Sequence, residues 1–228
     1  MKHSGQDRPD PILRPASWRR ATLHTARLLL CWALFLSAGT TALLAESTAP
    51  ASAVVADGAL TLAAPKGFCV DKGASRAGDQ GAFILFGSCA SLANSTKAAR
   101  PKQPAILTAS ALPGAASAAE FKASFPSMAK FLSSDVGRAA LSRSGKAKTV
   151  RVRQIIAMQD VLYVSATDTS KGERGEQFQP DYWRALFVVK GQIVTLTVLT
   201  LTDMPLDSAA QRALLEKFVA KVKSVNRG

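Results

Sequence analysis

Histidine is close to absent from this chain. The 228 residues hold two, His3 and His24, and none follows. From residue 46 onward this excludes a Ser-His-Asp or Cys-His nucleophile system. It also removes the commonest ligand of a catalytic transition metal. Cysteine is scarce too: Cys31, Cys69 and Cys89 are the three present, and no C-x-x-C occurs. The glycines Gly73, Gly78 and Gly81 match neither G-x-G-x-x-G nor G-x-x-x-x-G-K-[ST], so no phosphate cradle is expected. The sequence therefore points to no cofactor and no metal site. Acidic residues are few, 16 against 29 Lys and Arg, for a net charge of +13. The first 45 residues carry six of the basic and two of the acidic ones, which leaves 23 against 14, or +9, for the rest. Such an excess favours plain solubility or an anionic partner.

Long apolar runs are lacking except for one. Arg14, Arg19, Arg20 and Arg27 precede Leu28–Ala45, which carries no charge. Basic residues, an apolar run and then small residues describe a secretory signal peptide over 1–45, with cleavage after Ala45 or at the later small-x-small sites Ser47-Thr48-Ala49 and Ala51-Ser52-Ala53. The run is also long enough to span a bilayer as an uncleaved anchor. Either outcome keeps the N-terminus in the cytoplasm and exports the remainder to the periplasm or the periplasmic face of the inner membrane. Residues 46–57, ESTAPASAVVAD, read as a flexible linker of small residues. A single exported domain over 58–228 follows.

What is present is a strong β pattern. Tyr182–Asp203, YWRALFVVKGQIVTLTVLTLTD, reads as a long hairpin around Lys190-Gly191. A two-residue loop sets Val189 against Gln192, Phe187 against Val194, Ala185 against Leu196 and Trp183 against Val198. A slip of one residue would turn the apolar set outward, so the pattern fixes the register. The opposite face, with Arg184, Leu186, Thr195 and Thr197, is mixed. Lys tolerates positive φ poorly, so a three-residue loop with Gly191 in a bulge is the other option. Gly58–Pro65, Ala82–Gly87, Pro104–Leu112, Val150–Met158 and Val161–Asp168 read as further strands. Asp71–Gly81, with three glycines and four charges, reads as a loop.

Ser117-Ala118-Ala119-Glu120 is a capping box. Phe121, Phe125, Met128 and Leu132 then recur at helical spacing, interrupted by Pro126. A closing helix begins at Asp207 or Ser208 and carries Leu214, Leu215, Phe218, Val222 and Val225 on one face. The fold class is α+β: an antiparallel sheet of about five to seven strands, ending in a four-strand meander, covered by helices.

Cys69 and Cys89 are an even pair in an oxidising compartment, and a structural disulfide is the economical reading. It would close a twenty-residue loop, worth roughly 3 kcal/mol by chain entropy. Arg138, Arg143, Lys146, Lys148, Arg151 and Arg153 form the densest basic run, a solvated face or a site for phosphate-bearing lipid or polymer. If Val150, Val152 and Gln154 share one side of their strand, Arg151 and Arg153 share the other. No aromatic interleaves the run, and nucleic acid is not expected as a partner. Asp160, Asp168, Glu173, Glu176 and Asp181 gather around one polar loop. A hydrolase working through paired carboxylates, or a Ser-Lys pair, is the alternative if they converge.

The strand ending Pro65-Lys66-Gly67-Phe68, the 182–203 hairpin and the helix closing on Ser224-Val225 together resemble the PsbP-like fold. That group comprises the extrinsic photosystem subunit and assorted exported bacterial proteins. The chain is also similar to small exported proteins of alphaproteobacteria. The resemblance implies a non-catalytic binding or assembly role at a membrane; the partner expected is an envelope protein, or an anionic lipid or polymer met by the basic run. Membrane contact would run through residues 28–45 if they are retained. It assigns no functional residue.

Overall fold

A computed structural model describes residues 49–114, 117–170 and 177–227. The signal or anchor segment, Glu173 and Glu176 lie outside the described residues. All of the described residues belong to one compact unit spanning Leu44–Gly228.

The elements, in chain order, begin with β1 (Ser52–Val55), β2 (Leu60–Ala63), β3 (Phe68–Gly78), β4 (Gly81–Ser88), α1 (Cys89–Leu92) and β5 (Ile106–Leu112). Three helices follow: α2 (Ala118–Ala123), α3 (Phe125–Ser133) and α4 (Asp135–Leu141). The chain closes with β6 (Val150–Met158), β7 (Val161–Asp168), β8 (Asp181–Val189), β9 (Gln192–Leu199) and α5 (Ser208–Val225). Seven strands make one antiparallel sheet in the order β3-β4-β5-β9-β8-β7-β6, and β1 pairs with β2 in a second, small sheet. The fold is α+β, and its last four strands run as a meander.

The β8–β9 hairpin has the register its apolar alternation dictates. Trp183 faces Val198, Ala185 faces Leu196, Phe187 faces Val194 and Val189 faces Gln192. Lys190 and Gly191 both have positive φ, 50° and 70°, so the loop is a two-residue turn of the primed type without a bulge.

Each face of the sheet has its own core. On the first face Leu214, Leu215, Phe218 and Val222 of α5, with Leu60 and Leu62 of β2, pack on Phe86, Leu107, Phe187 and Leu196. Phe86 and Phe218 meet edge-on, centroids 5.6 Å apart. Each such side chain, fully buried, contributes roughly 1.5–3 kcal/mol. On the second face Phe121, Phe125, Leu132 and Leu141 of α2–α4 cover Leu162, Val164, Ala166 and Tyr182. The capping box is in place: Ser117 Oγ accepts from the Glu120 N–H and Glu120 Oε2 accepts from the Ser117 N–H. Pro126 splits the stripe into α2 and α3, as expected for a residue without an N–H. Asp207, rather than Ser208, caps α5 by accepting from the Ala210 N–H.

Two expectations are corrected. Residues 46–57 are not linker throughout, because Val54 and Val55, both β-branched, carry Ser52–Val55 into pairing with β2. Asp71–Gly81 is not a loop, because β3 continues to Gly78. The ladder breaks between Asp71 and Arg76, where Asp71 Oδ1 accepts from the Gly73 and Ala74 N–H groups. Ser75 Oγ accepts from the Leu85 N–H, so strand contact survives the extra residues as a bulge. The run 135–148 begins with a helix, α4, capped by Ser134 Oγ accepting from the Gly137 N–H. A Cβ at Gly137 would stand 2.0 Å from the Phe131 carbonyl oxygen, so only glycine lets α4 approach the end of α3 so closely.

Candidate binding groove on the edge strand

Strand β6 ends the sheet, and its sequence Val150-Arg151-Val152-Arg153-Gln154 alternates only until Val152. The β6–β7 ladder slips between Val152 and Gln154, leaving Arg153 as the extra residue of a bulge. Ile155, opposite Val164, therefore takes the place on the α2–α4 side that Gln154 was expected to hold. Gln154 instead pairs with Ser165, and Arg151 pairs with Thr167.

The corner before β6 brings α4 and a 3₁₀ turn, Ala147–Thr149, against the same strand. Between them lies an open groove of about 870 Å³ that exposes Arg138, Lys148, Arg151 and Arg153 beside Ser133, Thr149, Gln154, Thr167 and Thr169. Lys148, Arg151 and Arg153 are exposed and form no ion pair among the described residues. Arg138 reaches Asp135 Oδ1 at 2.7 Å, in a pair whose carboxylate is 86% exposed. Such a pair contributes little stability and leaves the cation free to rearrange.

Of the six basic residues singled out in sequence, four meet in this groove. Lys146 is exposed outside its lining. Arg143 has a structural task. Its Nη2 donates to the Asp168 carbonyl at 2.6 Å and its Nε lies 3.4 Å from Asp168 Oδ2. Burial alone would raise the Asp168 carboxyl, but hydrogen bonds from the Arg143 and Ser170 backbone N–H groups outweigh it and hold it below the ordinary carboxylate range.

The carboxylates on described residues do not gather into an acid–base pair. Asp160 lies at the β6–β7 turn, where Lys223 Nζ contacts it at 2.5 Å. Burial would raise its pKa as well, and the Lys223 ammonium more than offsets this. Asp168 stands at the other end of β7, roughly 26 Å away along the strand. Asp181 accepts from the Thr167 hydroxyl. Among the described residues no group of three or more His, Cys, Asp or Glu could hold a metal. No helix there is long and apolar enough to cross a membrane. Cys69 and Cys89 are bonded to each other.

Sequence reasoning missed Arg184 of β8. It lies on the second face between Tyr182 and Leu186, and burial pulls its guanidinium pKa below the ordinary arginine value. A charged residue within an otherwise apolar strand was the available signal.

Fold and groove together define an α+β sheet domain with a basic cleft on one edge strand. No protein-family model matches the chain, and no curated protein matches it. Among solved structures it is similar to the Ran-binding protein Mog1p of Saccharomyces cerevisiae, with a TM-score of 0.40 and 11% identity over 77% of this chain and 95% of that one. A likeness at that level transfers no residue role.

Proposed function

We propose that the chain is an exported, non-catalytic binding module of the cell envelope, and that the β6 groove takes the phosphates of an anionic lipid or envelope polymer. The observation that carries this reading is the convergence of Arg138, Lys148, Arg151 and Arg153 on one open groove, where only Arg138 has an ion pair among the described residues. The hydroxyls of Ser133, Thr149, Thr167 and Thr169 that line the same groove donate to protein acceptors, so the cations are the groups that meet the phosphates. The basic flank before Leu28–Ala45 and the buried cystine support export. The PsbP-like resemblance supports a binding rather than a catalytic role.

The test is partition of the full chain onto vesicles of phosphatidylcholine with and without phosphatidylglycerol. Each basic residue near an anionic surface contributes about 1 kcal/mol. The Lys148→Gln, Arg151→Gln, Arg153→Gln variant should therefore lose on the order of a hundredfold in its preference for the anionic vesicles. Soluble polyphosphate should compete with them. An unchanged preference in the variant would overturn the proposal.

A further inference from the structure

Among the described residues, the second face of the sheet is only half covered. Helices α2–α4 lie over β6–β8, while the β3–β5 half shows Phe83, Leu85, Ile106 and Leu112 partly or largely exposed. One cross-strand row joins the two halves: Leu85 of β4 faces Thr108 of β5, Thr108 faces Thr197 of β9, and Thr197 faces Arg184 of β8.

Arg184 is the anomaly in that row. A guanidinium set deep in a sheet is expected to meet a carboxylate. Its contacts among the described residues are instead a hydroxyl and a ring. Nε lies 3.2 Å from Thr197 Oγ1, and the guanidinium sits 5.5 Å from the Tyr182 ring centre. Asp168, the carboxylate that acts on it from a distance, is already held by Arg143 and two backbone N–H groups. The two terminal nitrogens of Arg184 make no hydrogen bond among the described residues, and the side chain is half-buried rather than enclosed.

At the other end of the row is a mainly apolar cavity of about 390 Å³, walled by Leu85, Leu92, Ile106, Leu201 and Met204, with Asp71 and Arg100 also on its lining. Its volume is in the range of small-ligand sites. Arg184 reaches over Thr197, so its charge lies roughly 10 Å, two strand spacings, from Leu85. We propose that this face binds a single-chain anionic amphiphile, its acidic head on the Arg184 guanidinium and its alkyl chain crossing Thr108 into the Leu85–Leu92–Ile106 cavity. The site is separate from the β6 groove, which lies at the opposite edge of the sheet. A planar guanidinium with two free donors suits a carboxylate or a phosphate monoester, each bound by two parallel hydrogen bonds.

The experiment is displacement of dansyl-aminoundecanoate from the full chain by laurate, dodecyl phosphate and dodecanol. All variants share the apolar run at 28–45, so differences between them report on this face. Laurate or dodecyl phosphate should compete better than neutral dodecanol, and their ranking identifies the head group. Arg184→Gln should weaken the acids about tenfold or more, the loss expected for a charged hydrogen bond, and leave dodecanol unchanged. Leu92→Gln, at a partly exposed position, should weaken all three. Thr108→Glu places a carboxylate beside Arg184. It should raise the melting temperature and abolish acid binding, which keeps the proposal testable if Arg184→Gln does not fold. Equal affinity for laurate and dodecanol, or acid binding unchanged in both Arg184→Gln and Thr108→Glu, overturns it.

Discussion

Asp168 shows how a single residue can change role between sequence and structure. By position it is one acid among several near a polar loop. In the fold it is fully enclosed, and its two oxygens accept from the backbone N–H groups of Arg143 and Ser170. Its folded pKa is depressed, so the stability it confers is present above its unfolded value, about 3.9, and is lost as pH falls through the folded value. Asp168→Asn should therefore destabilise the protein at neutral pH by about 1–3 kcal/mol, the cost of imperfect partners for a buried polar group. Melting temperatures of parent and variant should draw together as the pH is lowered below the unfolded value. A gap that stays constant over that range would show that the charge plays no part. The same contact removes Arg143 from the basic patch. No spacing rule could have shown this, because Arg143 and Asp168 are 25 residues apart.

At the scale of elements, legibility followed regularity. The β8–β9 hairpin, the split aromatic helix and α5 were readable because their apolar residues keep a strict period. β3 and the middle of β6 were not, because a bulge at each shifts the phase and places charges inside a strand. The groove inherits that limit: its cations were visible as a run, but the bulge and the α4 corner decided which of them converge. The cystine is an element-scale feature, joining the start of β3 to the start of α1, where the Cys89 N–H also donates to the Gly67 carbonyl. Replacing both cysteines with serine should cost roughly 3 kcal/mol in denaturant unfolding, for a closed loop of this length. Alkylation of freshly isolated, unreduced protein should find neither thiol free. Two free thiols would remove both the bond and the argument it lends to export.

For the whole molecule the decisive feature is a sheet with two unlike faces, and Trp183 stands where the better covered face is closed. It is 4% exposed, faces Val198 across the hairpin and belongs to the same core as Leu214, Phe218 and Val222 of α5. Its Nε1–H donates to Ser208 Oγ at 2.9 Å, so the first turn of α5 is fixed to the sheet by a hydrogen bond as well as by packing. The Arg212 guanidinium, 5.6 Å from the ring centre, lies over the indole. Gln211, one residue before, is buried and donates to the Leu206 carbonyl and the Thr200 hydroxyl, holding the segment that leads from β9 into α5. Trp183→Ala removes the ring, the hydrogen bond and the surface that α5 covers, and should cost about 3–5 kcal/mol. A domain of this size has only about 5–15 kcal/mol in all, so the variant should unfold at low denaturant. Trp183 is the only tryptophan after residue 45, so a chain carrying Trp18→Phe and Trp32→Phe reports on it alone. Its emission should be blue-shifted when folded and should move to the red in the same transition that unfolds α5. A red emission maximum in the folded protein would mean that α5 does not close over this face.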